Sequence, residues 1–384
     1  MRTDTLWLSE NAEEGEIVQL RQEVRSFLRD ELAKGSFTPQ CNSWLEGHDP
    51  KFSQKLGARG WLGMTWPSRY GGQDRSGLAR FVVLEELLAA GAPVAAHWIA
   101  ERQSGPSLLR FGTEAQREKF LPSIARGECF FSIGMSEPDS GSDLASVRSQ
   151  AHRVEGGWEL SGSKIWTSHA LRSHYITVLC RTSPRTDNRH AGLSQLLVSF
   201  NDPGVEVRPI KLMNGHEHFA EVNFDAAFVA DDMLLGGEGD GWSQVNAELA
   251  YERSGPERFL STFPLLQALV NEVAFIKTSG ADAVLGSLIA DVWTLRRMSQ
   301  AIARQLDEGL TPQVEAALVK DLGTMFENDV VEGANFLCPR SLTSASTDDF
   351  ERLLAQSVLS APGFTLRGGT TEILRGVIAK ALVE

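Results

Sequence analysis

Residues 154–167 read VEGGWELSGSKIWT, and this stretch decides the fold class. Two short runs rich in β-branched and aromatic residues flank Gly156 and Gly157, a pattern typical of two strands joined by a tight turn. Further runs of this kind predict strands at 175–180, 195–200, 205–210 and 220–224. From Cys129 to about Leu235 we therefore expect a small antiparallel β-barrel or sandwich.

Helices are predicted on both sides of these strands. Apolar residues recur at helical spacing over 17–32, 78–90 and 94–110, and Thr113 is suited to cap a helix over 114–126. Helical patterns then cover 242–263, 285–308, 311–336, 348–359 and 370–384. Strands and helices do not alternate, which excludes a doubly wound sheet. The sequence thus predicts an α+β fold with an N-terminal all-α domain (1–128), a middle β domain (129–235) and a C-terminal α-helical bundle (236–384).

Composition narrows the functional class. The net charge of −13 argues against a nucleic-acid or anionic-membrane surface. The four cysteines are scattered without a CxxC pair, which favours a reducing compartment. No apolar run is long enough to span a membrane, and the acidic start of the chain does not resemble a signal peptide. We therefore expect a cytoplasmic protein.

The stretch 242–263, WSQVNAELAYERSGPERFLSTF, contains a misplaced carboxylate. Its bulky apolar residues follow helical spacing, and Glu252 occupies a position where that series calls for a core side chain. Pro256 has no N–H to donate to the carbonyl of residue 252, so a kink is predicted. A carboxylate on an apolar face should have a raised pKa, which makes Glu252 a candidate base. The alternative is a structural ion pair with Arg253 or another cation.

Three polar stretches are further candidates. FSIGMSEPDSGSD (131–143) and KIWTSH (164–169) follow or end strands and offer donors for a flat polar ligand, although each is also explained as an ordinary turn. RGGTTE (367–372) opens the last helix, where free N–H groups suit phosphate or a polarised oxygen. His216 and His218 alternate as on one face of a strand, but no third ligand is evident, so no metal site is predicted.

Five strings together resemble the acyl-CoA dehydrogenase family. They occur in that family's order and cover nearly the whole chain: FGTEAQREKFLPSIARGE (111–128), GMSEPDSGSD (134–143), SGSKIWTS (161–168), AYER (250–253) and GGTTEILRGVIAK (368–380). The resemblance implies FAD held where the middle and last domains meet. It also implies α,β-desaturation of an acyl-CoA thioester, with an electron-transfer flavoprotein as the electron acceptor.

The resemblance also implies roles for individual residues. Those matching cofactor-binding positions are Met135, Ser136, Ser142, Trp166, Ser168, Thr370 and Glu372. Ser142, Arg253 and Arg367 match positions near the substrate, and Arg367 either meets an acidic or polar acyl group or faces solvent. The backbone N–H of Gly368 matches the donor to the enolate oxygen. Many members carry a base in a Tyr-Glu-Gly-Thr string, which here reads Arg-Gly-Gly-Thr (367–370), so Glu252 matches the alternative base of branched-chain and long-chain members.

Two family strings are missing. An Arg-x-x-Phe-Gly string is absent near 277–286, and Ser-Ala-Pro-Gly-Phe (360–364) replaces a Gln-x-x-Gly-Gly-x-Gly string. Such losses resemble subunits of mixed tetramers that degrade steroid or other bulky acyl-CoAs. A homo- or hetero-oligomer, dimer or tetramer, is therefore expected. The alternatives are a subunit of a heteromeric complex with a partial FAD site, and a flavin monooxygenase or oxidase on the same fold.

Overall fold

The computed structural model describes residues 15–252, 255–276, 280–310 and 312–383, apart from the side chains of residues 249–252 and 275–276. Its residues divide into two compact units, one of 48–74 and 95–252 and one of 1–47, 75–94 and 253–384. The helices are α1 Gly15–Ala33, α2 Ser43–Glu46, α3 Pro50–Ala58, α4 Gly77–Ala89, α5 Ala95–Ile99, α6 Gly105–Phe111, α7 Glu114–Ala125, α8 Gly241–Glu252, α9 Phe263–Ile276, α10 Ala281–Asp307, α11 Gln313–Leu337, α12 Asp349–Ser360 and α13 Thr371–Val383. The three-domain boundaries remain a prediction.

The strands all belong to the first unit and form one sheet. They are β1 Phe131–Gly134, β2 Gln150–Val154, β3 Gly157–Ser168, β4 Tyr175–Arg181, β5 Leu193–Ser199, β6 Val205–Ile210, β7 Phe219–Ala230 and β8 Leu234–Leu235. The order is β6-β7-β3-β2-β4-β5-β8, with β1 beside β4. Most pairs are antiparallel, but β1 runs parallel to β4, and β2 meets β4 in parallel at one residue pair. The α+β fold is confirmed, with a mixed sheet.

The helices of this unit begin and end for local reasons. Thr113 and Gln116 form a capping box at the start of α7, as the sequence predicts. The helix predicted over 94–110 is instead divided by a π-helical segment at Ala100–Ser104. Pro106 explains the division, because it has no N–H to donate to the carbonyl of Arg102 four residues earlier. Among the described helices of the chain, none has the length and apolar character needed to cross a membrane.

The other unit is held together partly by buried charge. Arg21 on α1 donates to Glu85 at 2.7 Å and to Glu86 at 2.5 Å, both on α4. Arg296 on α10 donates to Glu85 at 2.6 Å. All four residues are buried, and buried charges are tolerated when they are paired and hydrogen-bonded in this way. The cluster therefore joins three helices that are distant in sequence.

The continuous kinked helix predicted over 242–263 is wrong. Helix α8 ends at Glu252, Pro256–Arg258 form a 3-10 turn, and α9 starts at Phe263. Gly255 has an extended backbone (φ −85°, ψ 169°), the conformation that a following proline favours. The apolar residues before and after the break therefore do not share one helix face, although Val245 and Phe259 are each buried in their own unit.

Candidate active site

The loop after β1 is fixed by a buried ion pair. Lys164 on β3 donates to Glu137 at 2.8 Å and to the carbonyl of Met135 at 3.1 Å. The second oxygen of Glu137 accepts the backbone N–H of Arg148 at 2.7 Å, and the first also accepts that of Ser149 at 2.9 Å. Burial works against ionisation of Glu137, but Lys164 and these donors outweigh it and lower the pKa of Glu137. The loop therefore has one well-determined position relative to β3.

This loop carries three of the residues predicted to bind cofactor or substrate. The carbonyl of Ser136 accepts the N–H of Ile165 at 2.9 Å, which fastens it beside β3. Met135 packs on a buried cluster that includes Val245 of α8. Ser142 lies further along the loop, and its side chain is exposed. The structure thus brings the loop together with the end of β3 and with helix α8, the helix that ends at Glu252.

Trp166 is turned out of the sheet by a β-bulge. Between Lys164 and Thr167, β3 advances three residues while its partner β7 advances two. Trp166 adopts φ 59°, a conformation that costs a bulky residue roughly 1–3 kcal/mol. Its indole packs edge-on against Phe219, with ring centroids 5.9 Å apart, and remains 53% exposed. The bulge therefore presents a flat aromatic surface next to the fixed loop.

The end of β3 supplies the next residues. Ser168 is half-buried, and its carbonyl accepts the hydroxyl of Ser132 at 2.8 Å. His169, at φ 58°, donates its backbone N–H to the carbonyl of His218 at 2.7 Å. The prediction that His216 and His218 lie on a strand is wrong, because β7 begins only at Phe219. In a loop, side chains two residues apart do not necessarily point in the same direction. The alternation of His216 and His218 therefore does not place them on one face.

Arg367 belongs to the other unit, where several side chains hold its guanidinium. It donates to Asn42 at 2.5 Å, to Ser261 at 2.7 Å and to Glu327 at 2.8 Å. The group also lies 4.8 Å from the ring centroid of Trp44. Only 11% of the Arg367 side chain is exposed. The alternative in which Arg367 simply faces solvent is therefore wrong.

Glu327 is the residue that the sequence reasoning missed. It lies on α11 with 1% exposure, and its other oxygen accepts the N–H of Ser261 at 3.0 Å. Burial raises the pKa of Glu327, while Arg367 opposes that rise. Buried residues Gly323, Val330 and Val331 share its helix face, so a carboxylate stands where helical spacing calls for a core residue. The signal that singled out Glu252 would also have found Glu327.

Gly368 follows Arg367 and has a backbone that suits glycine alone. Its φ is +67°, and a Cβ at this position would lie 2.9 Å from Nη1 of Arg258. Gly369, at φ +101°, is also left-handed. The segment next to the last helix therefore contains two adjacent glycines, which can contribute only backbone groups to a site.

Helix α13 begins at Thr371, and Thr370 separates it from the two glycines. The hydroxyl of Thr370 accepts the N–H of Ile373 at 3.4 Å, which caps the helix. Glu372 is exposed in the first turn, and hydrogen bonds from its own backbone N–H and from the Thr370 hydroxyl lower its pKa. Both residues lie where the free N–H groups of a helix start favour an anion or a polar ligand.

The predicted base falls at the edge of what the structure describes. Helix α8 ends at Glu252, but the Glu252 side chain and all of Arg253 lie outside the described residues. Gly368, Arg367, Thr370 and Glu372 are described within one unit, and the loop, Trp166 and Ser168 within the other.

Comparison with known proteins identifies the family. Residues 14–128 match the acyl-CoA dehydrogenase N-terminal domain, and residues 132–227 match its middle domain. The chain is 32% identical to "Acyl-CoA dehydrogenase IpdE1" of Mycobacterium tuberculosis, over 96% of this chain and 97% of that protein.

Two solved structures also resemble the chain. The "Tcur3481-Tcur3483 steroid ACAD" has a TM-score of 0.82 and 26% identity, over 98% of this chain and 99% of that one. The ChsE4-ChsE5 complex from Mycobacterium tuberculosis has a TM-score of 0.79 and 26% identity, over 100% of this chain and 99% of that one. The resemblance drawn from the five sequence strings is confirmed: the chain belongs to the acyl-CoA dehydrogenase family, whose members are oxidoreductases.

Proposed function

We propose that this protein is an FAD-dependent dehydrogenase of acyl-CoA thioesters, with Glu252 as the catalytic base. The observation that carries the proposal is the geometry at Gly368. In many family members the base occupies this position, but here φ is +67° and Nη1 of Arg258 lies 2.9 Å from the point that a Cβ would occupy. A base at residue 368 would need both a strained backbone and the displacement of a buried arginine. This geometry supports a base from another element, and α8 ends in a carboxylate residue, Glu252.

The residues around the loop after β1 fit a flavin. The exposed indole of Trp166 offers a face for a flat ring, Ser168 follows it two residues later with a hydroxyl donor, and Ser142 offers a second hydroxyl on the loop. The Glu137–Lys164 pair holds the loop so that the position of these groups is set in advance. A bound FAD would supply the acceptor for the β-hydride, and an electron-transfer flavoprotein is the proposed acceptor of the electrons.

Glu252 removes the α-proton of the thioester. The electron pair of that C–H bond forms the new double bond as the β-hydrogen leaves with its own pair. A positioned base of this kind contributes about 10²–10⁴-fold to the rate. Negative charge gathers on the thioester oxygen during proton removal, and the Gly368 N–H is our proposed donor to it. Loss of one such donor costs on the order of 10²–10³ in kcat in other enzymes.

A heteromeric complex is the second candidate arrangement. Both family strings associated with cross-subunit flavin contacts are missing, and the structures that resemble the chain include the ChsE4-ChsE5 complex. Helix α13 also exposes apolar residues: Ile373 is 40% exposed, Leu382 80% and Val383 87%. A subunit interface would remove these side chains from water. A bulky, steroid-like acyl group is the substrate class that these similarities favour.

The purified chain tests the proposal. We expect a yellow protein whose flavin absorbance bleaches anaerobically with one or more members of a panel of acyl-CoA thioesters. Glu252→Gln should keep the flavin and lose the bleaching. The matched control is Glu248→Gln, which removes a buried carboxylate one turn earlier on α8 and should retain bleaching.

The alternatives predict different results. A colourless chain that gains FAD only when a partner subunit is added favours the heteromeric arrangement. Rapid oxygen consumption by the reduced protein without an acyl-CoA favours a monooxygenase or oxidase. Normal turnover by Glu252→Gln would refute Glu252 as the base.

A further inference from the structure

The Arg367 guanidinium joins three separate segments of the chain. Asn42 follows α1, Ser261 precedes α9, and Glu327 lies on α11. A guanidinium is planar and carries five donors in a fixed fork, so it can hold three acceptors at once in one orientation. The rings of Trp44 and Phe364, with centroids 4.8 and 4.6 Å away, pack against it. The side chain is therefore held from several directions.

Glu327 makes this arrangement costly to disturb. Its two oxygens accept from Arg367 and from the backbone N–H of Ser261. The carboxylate is almost completely buried, with 1% of its side chain exposed. Removing one partner of a buried pair leaves the other charge uncompensated, which is strongly destabilising. The Arg367 side chain accordingly has one strongly preferred position.

The two residues that follow Arg367 depend on that position. Gly368 and Gly369 both have left-handed backbones and carry no side chains that could fix them by packing. The backbone of Arg367 is tied to Gly363 by a 3.1 Å hydrogen bond, and on the other side Thr370 caps α13. The anchored Arg367 side chain therefore helps to fix the backbone that carries the Gly368 N–H.

A second arginine restricts Gly368 from the side. Nη1 of Arg258 lies 2.9 Å from the point that a Cβ of Gly368 would occupy. Arg258 is 2% exposed, and its guanidinium lies 5.1 Å from the ring centroid of Trp44. The guanidiniums of Arg258 and Arg367 therefore both pack on the Trp44 indole. This packing leaves little room for the glycine backbone to move toward Arg258, and the anchored Arg367 side chain restrains the segment in addition.

We propose that Arg367 and Glu327 are positioning residues, which orient the Gly368 N–H toward the thioester oxygen. This inference rests on the proposed dehydrogenase function. The arginine that replaces the family's usual tyrosine is, on this account, neither a substrate ligand nor a surface charge. Through its ion pair with Glu327, Arg367 restrains a segment that its two glycines would otherwise leave flexible.

The first test measures the segment directly and needs no turnover. Hydrogen–deuterium exchange of the Leu366 and Arg367 amides, which donate to the Gly363 carbonyl, reports how firmly the segment is held. Arg367→Met and Glu327→Gln should each accelerate this exchange by roughly tenfold or more. Arg367→Lys keeps the charge but not the fork, so it should give an intermediate value. The control Arg296→Met breaks an equally buried pair elsewhere in the unit and should leave this exchange unchanged.

The second test measures stabilisation of the enolate. A 3-thia acyl-CoA, in which sulfur replaces the β-methylene, can lose its α-proton but cannot lose a β-hydride. The pH at which the bound compound ionises, read from its long-wavelength absorbance, should rise in Arg367→Met and Glu327→Gln but not in Arg296→Met. In turnover, kcat should fall about 10- to 100-fold while KM changes less than about threefold, because the misplaced donor acts mainly in the transition state.

The outcomes separate this proposal from the proposed function. Unchanged amide exchange in both Arg367→Met and Glu327→Gln would overturn it. Faster exchange with unchanged ionisation of the 3-thia compound would overturn the catalytic consequence. If none of the acyl-CoA thioesters bleaches the wild-type flavin and the bound 3-thia compound does not ionise, the proposed dehydrogenase function is refuted. The proposed catalytic role of Arg367 and Glu327 is then refuted as well. In that case, faster amide exchange in the two variants would still support the conclusion that Arg367 and Glu327 hold this segment in place.

Discussion

Replacing Gly368 by alanine tests the geometry on which both proposals depend. A non-glycine residue in the left-handed region costs about 1–2 kcal/mol. The added Cβ would lie 2.9, 3.1 and 3.2 Å from Nη1, Cζ and Nη2 of Arg258, closer than the ordinary contact distance of about 3.5–4.0 Å. Moving that buried side chain off its rotamer costs about a further 0.5–1.5 kcal/mol.

Part of this cost is offset in the unfolded chain. Alanine has fewer unfolded conformations than glycine, which stabilises the folded protein by about 0.4–1 kcal/mol. The net expectation for Gly368→Ala is a loss of about 0.5–3 kcal/mol, measured as a lower midpoint of thermal or urea-induced unfolding. Gly368→Glu should lose at least as much stability, and with Glu252→Gln in the same chain it should not restore a base.

Gly363 provides a matched control in the same segment. A Cβ there meets nothing within 4 Å, and its φ is not left-handed, so Gly363→Ala should be neutral or slightly stabilising. If Gly368→Ala proves as stable as Gly363→Ala, the left-handed backbone and the close approach of Arg258 are wrong. A Gly368→Glu, Glu252→Gln protein that desaturates an acyl-CoA would refute the exclusion of a base at residue 368.

Three further predictions concern the unit that contains the sheet. Lys164→Met leaves the Glu137 carboxylate buried without its cation, so we expect a loss of about 3–5 kcal/mol in unfolding free energy and a lower flavin content; a stable, yellow variant would contradict this. Burial, assisted by Arg172, lowers the pKa of His48 from 6.5 to about 4, so its neutral form stabilises the folded protein above pH 6.5 and that contribution is lost as the pH falls toward 4. His48→Gln should reduce the fall in the thermal unfolding midpoint between pH 6.5 and pH 4. An unchanged dependence of the midpoint on pH would contradict this role of His48. Trp166→Ala should raise the dissociation constant for FAD by removing the exposed ring face, while Trp166→Phe retains most of the affinity; equal affinities would exclude stacking.

Local patterns in the sequence predicted the elements well. The capping box at Thr113 and the two strands on either side of Gly156 each depend on a few adjacent residues, and the structure contains both. Strand β1 was not predicted, because four residues are too few to show alternation, and its parallel pairing with β4 joins segments more than forty residues apart. The exposure of Trp166 depends on a bulge against β7, and a register between strands cannot be read from one of them.

In the candidate site, local spacing indicates individual residues, but it does not indicate the contacts that the fold creates between distant segments. The residue type and spacing that drew attention to Glu252 also apply to Glu327, but only the fold brings Glu327 to Arg367. Helical spacing alone predicts a helix that continues through Pro256, but the Gly255–Pro256 pair favours an extended backbone, so the predicted helix is too long. Arg367 was recognised as unusual, but its partners come from three distant segments and no local pattern indicates them.

The buried cluster around Glu85 imposes an order on how the protein is made. Glu85 binds Arg296, which is translated 211 positions later, so helices α1 and α4 leave the ribosome long before their partner exists. During that interval the carboxylates and the apolar faces beside them must wait in a partly formed state, the kind of intermediate that chaperones protect. A nascent chain stopped after the sheet is complete should therefore bind chaperones through α1 and α4 rather than through the strands.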